Sequence, residues 1–236
     1  MRAFLPLIAL AGCASSAEGE PRPGGQLQAD PNHGPLVLEL FTSQGCSSCP
    51  PADRLAQKLA SPTVVPLAFH VDYWNDLGWA DPFSLPAWTQ RQHDYANALG
   101  DNRVYTPELV VGGAAGLVGS QEAAITRAIA GAARPAALPA SATWGKSSVK
   151  VTATAPADAD VFVAVWQDST QTKVERGENA GESLVSDHVV RRFERVATAG
   201  HAGSIEVAID PSWKTGAVAF AQRPDKRIVA SALLPR

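Results

Sequence analysis

The chain of 236 residues is short of cysteine, with three, and of methionine, with one. It also has no excess of positive charge: 20 Lys and Arg stand against 23 Asp and Glu, a formal net charge of −3, and the basic residues do not cluster. Nucleic-acid binding needs a basic stripe, so that class of partner is not expected. After the first residues no apolar run is long enough to span a bilayer. No sequence repeat is visible within or between the halves. Zinc needs about four ligands, and the chain offers few cysteines with His33, His70, His93, His188 and His201 scattered, so no metal is expected. A metal-chaperone reading is weakened by the absence of a nearby Met or a CxxxC, and no other cofactor is indicated.

What is present begins with MRAFLPLIALAGCASS: one basic residue, an apolar run from Ala3 to Ala11, and Leu10-Ala11-Gly12-Cys13. This reads as a signal peptide. Its ending resembles the lipobox of bacterial lipoproteins, which implies acylation of Cys13, a membrane anchor, and a place on the periplasmic side of the envelope, with the outer membrane favoured. A secreted or soluble periplasmic protein is the alternative. Residues 14–34, rich in Pro, Gly and Ser and without hydrophobic period, read as a flexible tether.

With Cys13 so used, two cysteines remain, Cys46 and Cys49, in a chain that has left the reducing cytosol. They lie in LVLELFTSQGCSSCPPADRLAQKL, an apolar run, a short turn, the CxxC and a helical pattern. A strand that delivers two cysteines to a helix start suits thiol-disulfide chemistry. The helix dipole favours a thiolate, and lowering a thiol pKa from about 8.5 to about 7 raises its ionised fraction at pH 7 from roughly 3% to roughly half. Cys46 is the expected nucleophile and Cys49 the resolving thiol. A structural disulfide is the bland alternative, although so short a loop removes little unfolded-state entropy when closed.

From residue 35 the pattern is α/β: strands at Leu36–Phe41 and Val64–Val71, helices at Pro50–Ala60 and Ser84–Leu99 with Ser84 as N-cap, a strand at Glu108–Val111, a return strand at Leu117–Val118, and a last helix capped by Ser120. Residues 134–140 read as a linker. Beyond it Val149, Val151 and Ala153 alternate with polar residues, and further short runs reach Leu233, a pattern expected for a β-sandwich-like domain over 141–236.

Strand, CxxC helix, strand, helix, then Thr106-Pro107 opening a hairpin resembles the thioredoxin fold. The resemblance implies a thioredoxin-like domain over residues 35–135, a cis Pro107 facing the cysteines, Thr106 pairing with substrate backbone, and Glu39 as a buried proton-relaying carboxylate. His70 and Asp72, at the end of the second strand, are a candidate proton relay or cation site near Cys46, the bland alternative being a histidine satisfied locally at a strand end. Tyr73, Trp74, Trp79 and Phe83 form either a lip that docks substrate or plain core. The stretches FTSQGCSSCPPADRL, AFHVDYWNDLGWADPFSLPAWTQRQHDYA, VYTPELVV and RGENAGESLVSDHVVR together resemble a bacterial secreted family, domain-of-unknown-function family 1223, over roughly Pro35 to Arg236. The loop Arg176-Gly-Glu178-Asn179-Ala-Gly is either a partner for the CxxC face or another protein, or an exposed turn. The expected function is an exported thiol-disulfide oxidoreductase acting on thiol- or disulfide-bearing envelope proteins with an unidentified redox partner. An envelope protein-binding module with a structural disulfide is the alternative.

Overall fold

A computed structural model describes Met1, residues 30–101 and residues 103–236. Cys13 and most of the expected leader and tether lie outside the described residues. The chain runs β1 (Leu36–Thr42), α1 (Pro50–Leu59), β2 (Val64–His70), α2 (Pro86–Leu99), β3 (Glu108–Val111), β4 (Ala115–Val118) and α3 (Glu122–Gly131). The second half is β throughout: β5 (Ala136–Ala137), β6 (Ala140–Trp144), β7 (Ser148–Thr154), β8 (Asp160–Asp168), β9 (Thr170–Lys173), β10 (Ser183–Ser186), β11 (Val189–Ala197), β12 (Ala202–Ala208), β13 (Lys214–Gln222) and β14 (Ile228–Leu234). None of the described helices is long and apolar enough to cross a membrane.

The expected division into a thioredoxin-like α/β domain and a β-sandwich is overturned by the sheet. One nine-stranded mixed sheet, in the order β4-β3-β1-β2-β11-β8-β13-β14-β5, takes strands from both halves. The halves meet where β2 and β11 run parallel, with the Ala68 N–H donating to the His188 carbonyl at 2.9 Å. The expected linker supplies β5, which pairs with β14 at the sheet edge. Its neighbour Gly34 donates to Pro135, and the Ser231 hydroxyl donates to the Pro35 carbonyl at 2.6 Å.

Alternation along each strand sorts the side chains between two faces. Val37, Phe41, Phe69, Ala164, Trp166, Val218 and Phe220 share one buried cluster with Trp88 and Tyr95 of α2, so α2 covers a face to which both halves contribute. On the other face Leu36, Leu38 and Leu40 pack against Ala52 and Leu55 of α1 and Ile125 and Ile129 of α3. Farther along, Val161, Val163 and Val165 pack against Val149 and Val151 of a three-stranded sheet ordered β12-β7-β6. β9 and β10 form a hairpin of their own that joins neither sheet.

Two capping expectations also give way. Leu85 and Gln121 are the N-cap residues of α2 and α3, with no side-chain cap bond, while the Ser84 hydroxyl donates instead to the Asp81 carbonyl at 2.8 Å.

Candidate functional site around Cys46 and Cys49

β1 ends at Thr42 and the turn 43–48 carries the chain into α1, whose N-cap is Cys49. The turn is held from within: the Gly45 N–H donates to the Ser43 hydroxyl at 3.1 Å and the Cys46 N–H to the Ser43 carbonyl at 3.2 Å. The sulfurs of Cys46 and Cys49 are bonded to each other. Both cysteines are 0% exposed, whereas Ser47 and Ser48 between them face solvent.

The helix start differs from a bare one in its donors. Pro50 and Pro51 have no N–H, and the N–H groups of Ala52 and Asp53 both reach the Cys49 carbonyl. Residues 50–53 therefore offer Cys46 no free N–H group, and the Ser48 hydroxyl, 3.3 Å from the Cys46 sulfur, is a polar group beside it.

Behind the turn, on the α1 face of the sheet, lies a group of ionisable side chains. Thr42 and His70 sit side by side in register across β1 and β2. His70 Nδ1 is 2.7 Å from Asp81 Oδ2, both side chains being buried, and the same Asp81 oxygen accepts from the Gln44 N–H at 2.7 Å. Burial works to lower the His70 pKa, but the Asp81 carboxylate outweighs it and holds the imidazole above its ordinary value. For Asp81, burial works upward and is outweighed by His70 and by the Gln44 and Phe83 N–H groups, so the carboxyl lies below its usual range. His70 Nε2 is buried and has no hydrogen-bond partner among the described residues.

Asp53, in the first turn of α1, faces Thr42 and the His70 charge, and burial pushes its carboxyl up to about 6 from 3.8. A carboxyl raised on folding contributes stability that is complete below 3.8 and is lost as the pH rises through about 6. Asp53→Asn mimics the protonated acid. It should therefore stabilise the fold by about 2 kcal/mol more at pH 8 than at pH 4, read by urea denaturation at the two pH values; an equal effect at both would refute the assignment.

The remaining expected site residues distribute as follows. The Thr106–Pro107 peptide is cis. A Cβ built on Gly119 would lie 3.1 Å from both Pro107 and Ala52, which places Pro107 against the first turn of α1. Trp74 links the two regions: its indole N–H donates to the Thr106 hydroxyl at 2.8 Å, and its Cβ lies 3.1 Å from a Cβ built on Gly45. Tyr73 is 37% exposed and donates to Gln92; burial raises its phenol to about 12.

Glu39 and Asp72 do not join the site. Glu39 shares its face of β1 with Val37 and Phe41, and so points toward α2, where Arg91 Nε and Nη2 reach its carboxylate at 2.5 and 2.9 Å and the Tyr95 hydroxyl donates to it. Its carboxylate, for which the resemblance implies a proton-relaying role, thus lies across the sheet from α1. Asp72 instead anchors α2, accepting from the Thr89 hydroxyl while its N–H donates to Thr89 at 3.1 Å. Asp81 is the partner that His70 finds.

The loop after β9 reaches the site. Glu178 Oε2 accepts from the Ser47 N–H at 2.9 Å and from the Ser47 hydroxyl at 2.7 Å, and Ser47 holds the Glu178 pKa below its ordinary value. Asn179 Nδ2 donates to the carbonyls of Gln44 at 2.9 Å and Cys46 at 3.0 Å. Gln44 donates to Thr172 at 3.0 Å and accepts from the Trp79 indole at 3.2 Å. Sequence reasoning missed Asp53, Asp81 and Gln44. A lone acidic residue in a first helical turn reads as dipole compensation, and nothing in WADPF marks Asp81 as a partner for His70. Among the described residues no group of three or more His, Cys, Asp or Glu side chains is placed to hold a metal ion.

A family model described as a protein of unknown function, DUF1223, matches residues 37–222. No curated protein matches the chain. Among solved structures, a crystal structure of a protein from Agrobacterium tumefaciens is 30% identical, with a TM-score of 0.66, over 84% of this chain and 93% of that one. HBP35 of Porphyromonas gingivalis is similar in fold, at 16% identity and a TM-score of 0.59, over 86% of this chain and 75% of that one.

Proposed function

The chain belongs to the DUF1223 family of proteins of unknown function, and from the geometry of its site we propose that Cys46 and Cys49 form a redox pair exchanging with thiols and disulfides of other proteins. The observation that carries this reading is the pairing of a CxxC disulfide at a helix start with the buried His70 and Asp81 and the half-buried Asp53 behind it. Buried ionisable groups cost stability, so a cluster of them next to a reactive bond supports a chemical role. With the pair reduced, the Cys46 thiolate attacks a partner disulfide, forming a mixed disulfide and releasing one partner thiolate. Cys49 then gives up its proton and attacks the Cys46 sulfur, closing the Cys46–Cys49 bond and releasing the second thiolate. Two electrons pass to the partner, and the reverse sequence oxidises a partner dithiol. Asp53, with a pKa near 6, takes the proton that Cys49 loses, and the charge on His70, sustained by Asp81, faces it. Thr106 and Trp74 line the approach, and the partners are exported envelope proteins, in keeping with the leader and lipid-anchor sequence.

One observation favours the second reading, a protein-binding module with a structural disulfide: both sulfurs are shielded from solvent. The reduction potential separates the two. A value between about −120 and −270 mV is expected for exchange, and one well below about −300 mV would establish a staple.

A further inference from the structure

A segment of the second half is bonded to the turn that carries the shielded Cys46. The hairpin of β9 and β10 lies over the Cys46 turn, yet no ladder ties it to either sheet. It joins the central sheet through two stalks, and in each a non-glycine residue takes left-handed backbone, Ser169 at φ 57° and His188 at φ 55°. Such positions gather where a segment changes direction or moves. The stalks are tied to each other: the Ser169 N–H donates to Asp187 at 2.6 Å and the His188 N–H to Asp168 at 2.9 Å. They act as a unit.

At the tip, the contacts to the turn are polar. Glu178 satisfies the N–H and hydroxyl of Ser47, Asn179 satisfies the carbonyls of Gln44 and Cys46, and Thr172 accepts from Gln44. Each of these turn groups can be satisfied by water instead, and Val174 is the fully buried apolar side chain of the segment, so releasing the tip costs less than opening an apolar core. Close backbone approach completes the seat, with a Cβ built on Gly78 falling 3.2 Å from the Gly177 Cα.

We propose that the segment from Ser169 to His188 is a gate over the Cys46–Cys49 bond, latched by Glu178 and Asn179 on residues 44–47 and hinged at Ser169 and His188. Closed, it keeps the disulfide from a partner protein; open, it frees the backbone of residues 44–47 and the path to the buried Cys46. The gate rests on the exchange reading for its purpose but not for its existence.

The test is the rate at which dithiothreitol reduces the disulfide of the folded full chain, followed by alkylation and mass measurement. Glu178→Gln keeps the size of an exposed side chain and loses the charge on its two bonds, so reduction should accelerate by about tenfold or more. Asn179→Ala should accelerate it too, and Glu182→Gln on the same hairpin should leave it unchanged. In the wild type the rate should barely respond to urea below the unfolding transition, because lifting a hairpin exposes little surface. Unaccelerated reduction in both latch variants, or a wild-type rate that climbs with urea in step with global unfolding, overturns the gate and leaves the exchange reading intact. If the variants accelerate but Cys46 never forms mixed disulfides in them, the gate stands and the exchange reading fails.

Discussion

Cys49→Ala is expected to accumulate disulfide-linked adducts through Cys46 in cells, and Cys46→Ala to form none. Without Cys49, the second step of exchange has no nucleophile, so the mixed disulfide that is normally transient becomes a product. The effect is all-or-none because it removes a reacting atom. It reads out as bands of higher mass that collapse to the monomer on reduction, and mass spectrometry of the adducts identifies partners and direction together. Because the wild-type sulfurs are covered, the decisive form of the experiment adds Glu178→Gln to Cys49→Ala. Abundant, folded double variant with no adducts would sink the exchange reading.

The second large effect falls on stability. Glu39→Gln or Arg91→Met alone should cost about 3–5 kcal/mol, measured by urea denaturation, since each leaves a buried group without its partner. The pair is built into three parts of the fold: Glu39 on β1, Arg91 and Tyr95 on α2, and Gln222 on β13, whose amide donates to the Tyr95 hydroxyl at 2.7 Å while its carbonyl oxygen accepts from Arg91 at 3.1 Å. The Arg91 guanidinium also stacks 4.3 Å from the centre of the Phe193 ring on β11. One substitution therefore loosens strands from both halves of the sheet. The double variant should recover part of the loss, because removing both charges ends the desolvation cost that each single variant leaves behind. Since Glu39 lies across the sheet from α1, the disulfide's reduction potential should stay as in the wild type. A single-variant cost below about 1 kcal/mol would mean that water reaches the pair.

Much of the local structure was legible in the chain. The run from Leu36, the start of α1 at Pro50 and the apolar strand from Val64 each carry a period or a breaker that specifies the element on its own. What stayed hidden depends on partners distant in sequence. No local signal says that β2 borders β11 rather than a helix or solvent, because an apolar strand reads the same whichever neighbour it meets. β11 itself, VVRRFERVA, disguises its period: two register shifts interrupt it against β8, and Arg191 and Arg192 break the run of apolar residues. β9 and β10 carry little apolar alternation because they bury little, which is also why they can cover the disulfide without belonging to a sheet. At the site, Cys46, Cys49 and His70 were visible as residues, whereas the choice of Asp81 over Asp72 as the histidine's partner turns on a loop path from 71 to 85 that composition does not specify. The face on which Glu39 falls was decided by the register of β1, one residue in either direction reversing it.

The β2–β11 junction also bears on how the protein is made. Strand β2 is synthesised some 120 residues before the strand that borders it, so its edge and the Phe69 and Trp88 surface stay uncovered until the chain is nearly complete. Such distant pairing slows folding and leaves an exposed strand edge able to recruit other chains. The central sheet is completed only when the second half arrives, and the burden of keeping the early strands apart from their neighbours until then passes to whatever accompanies the nascent chain.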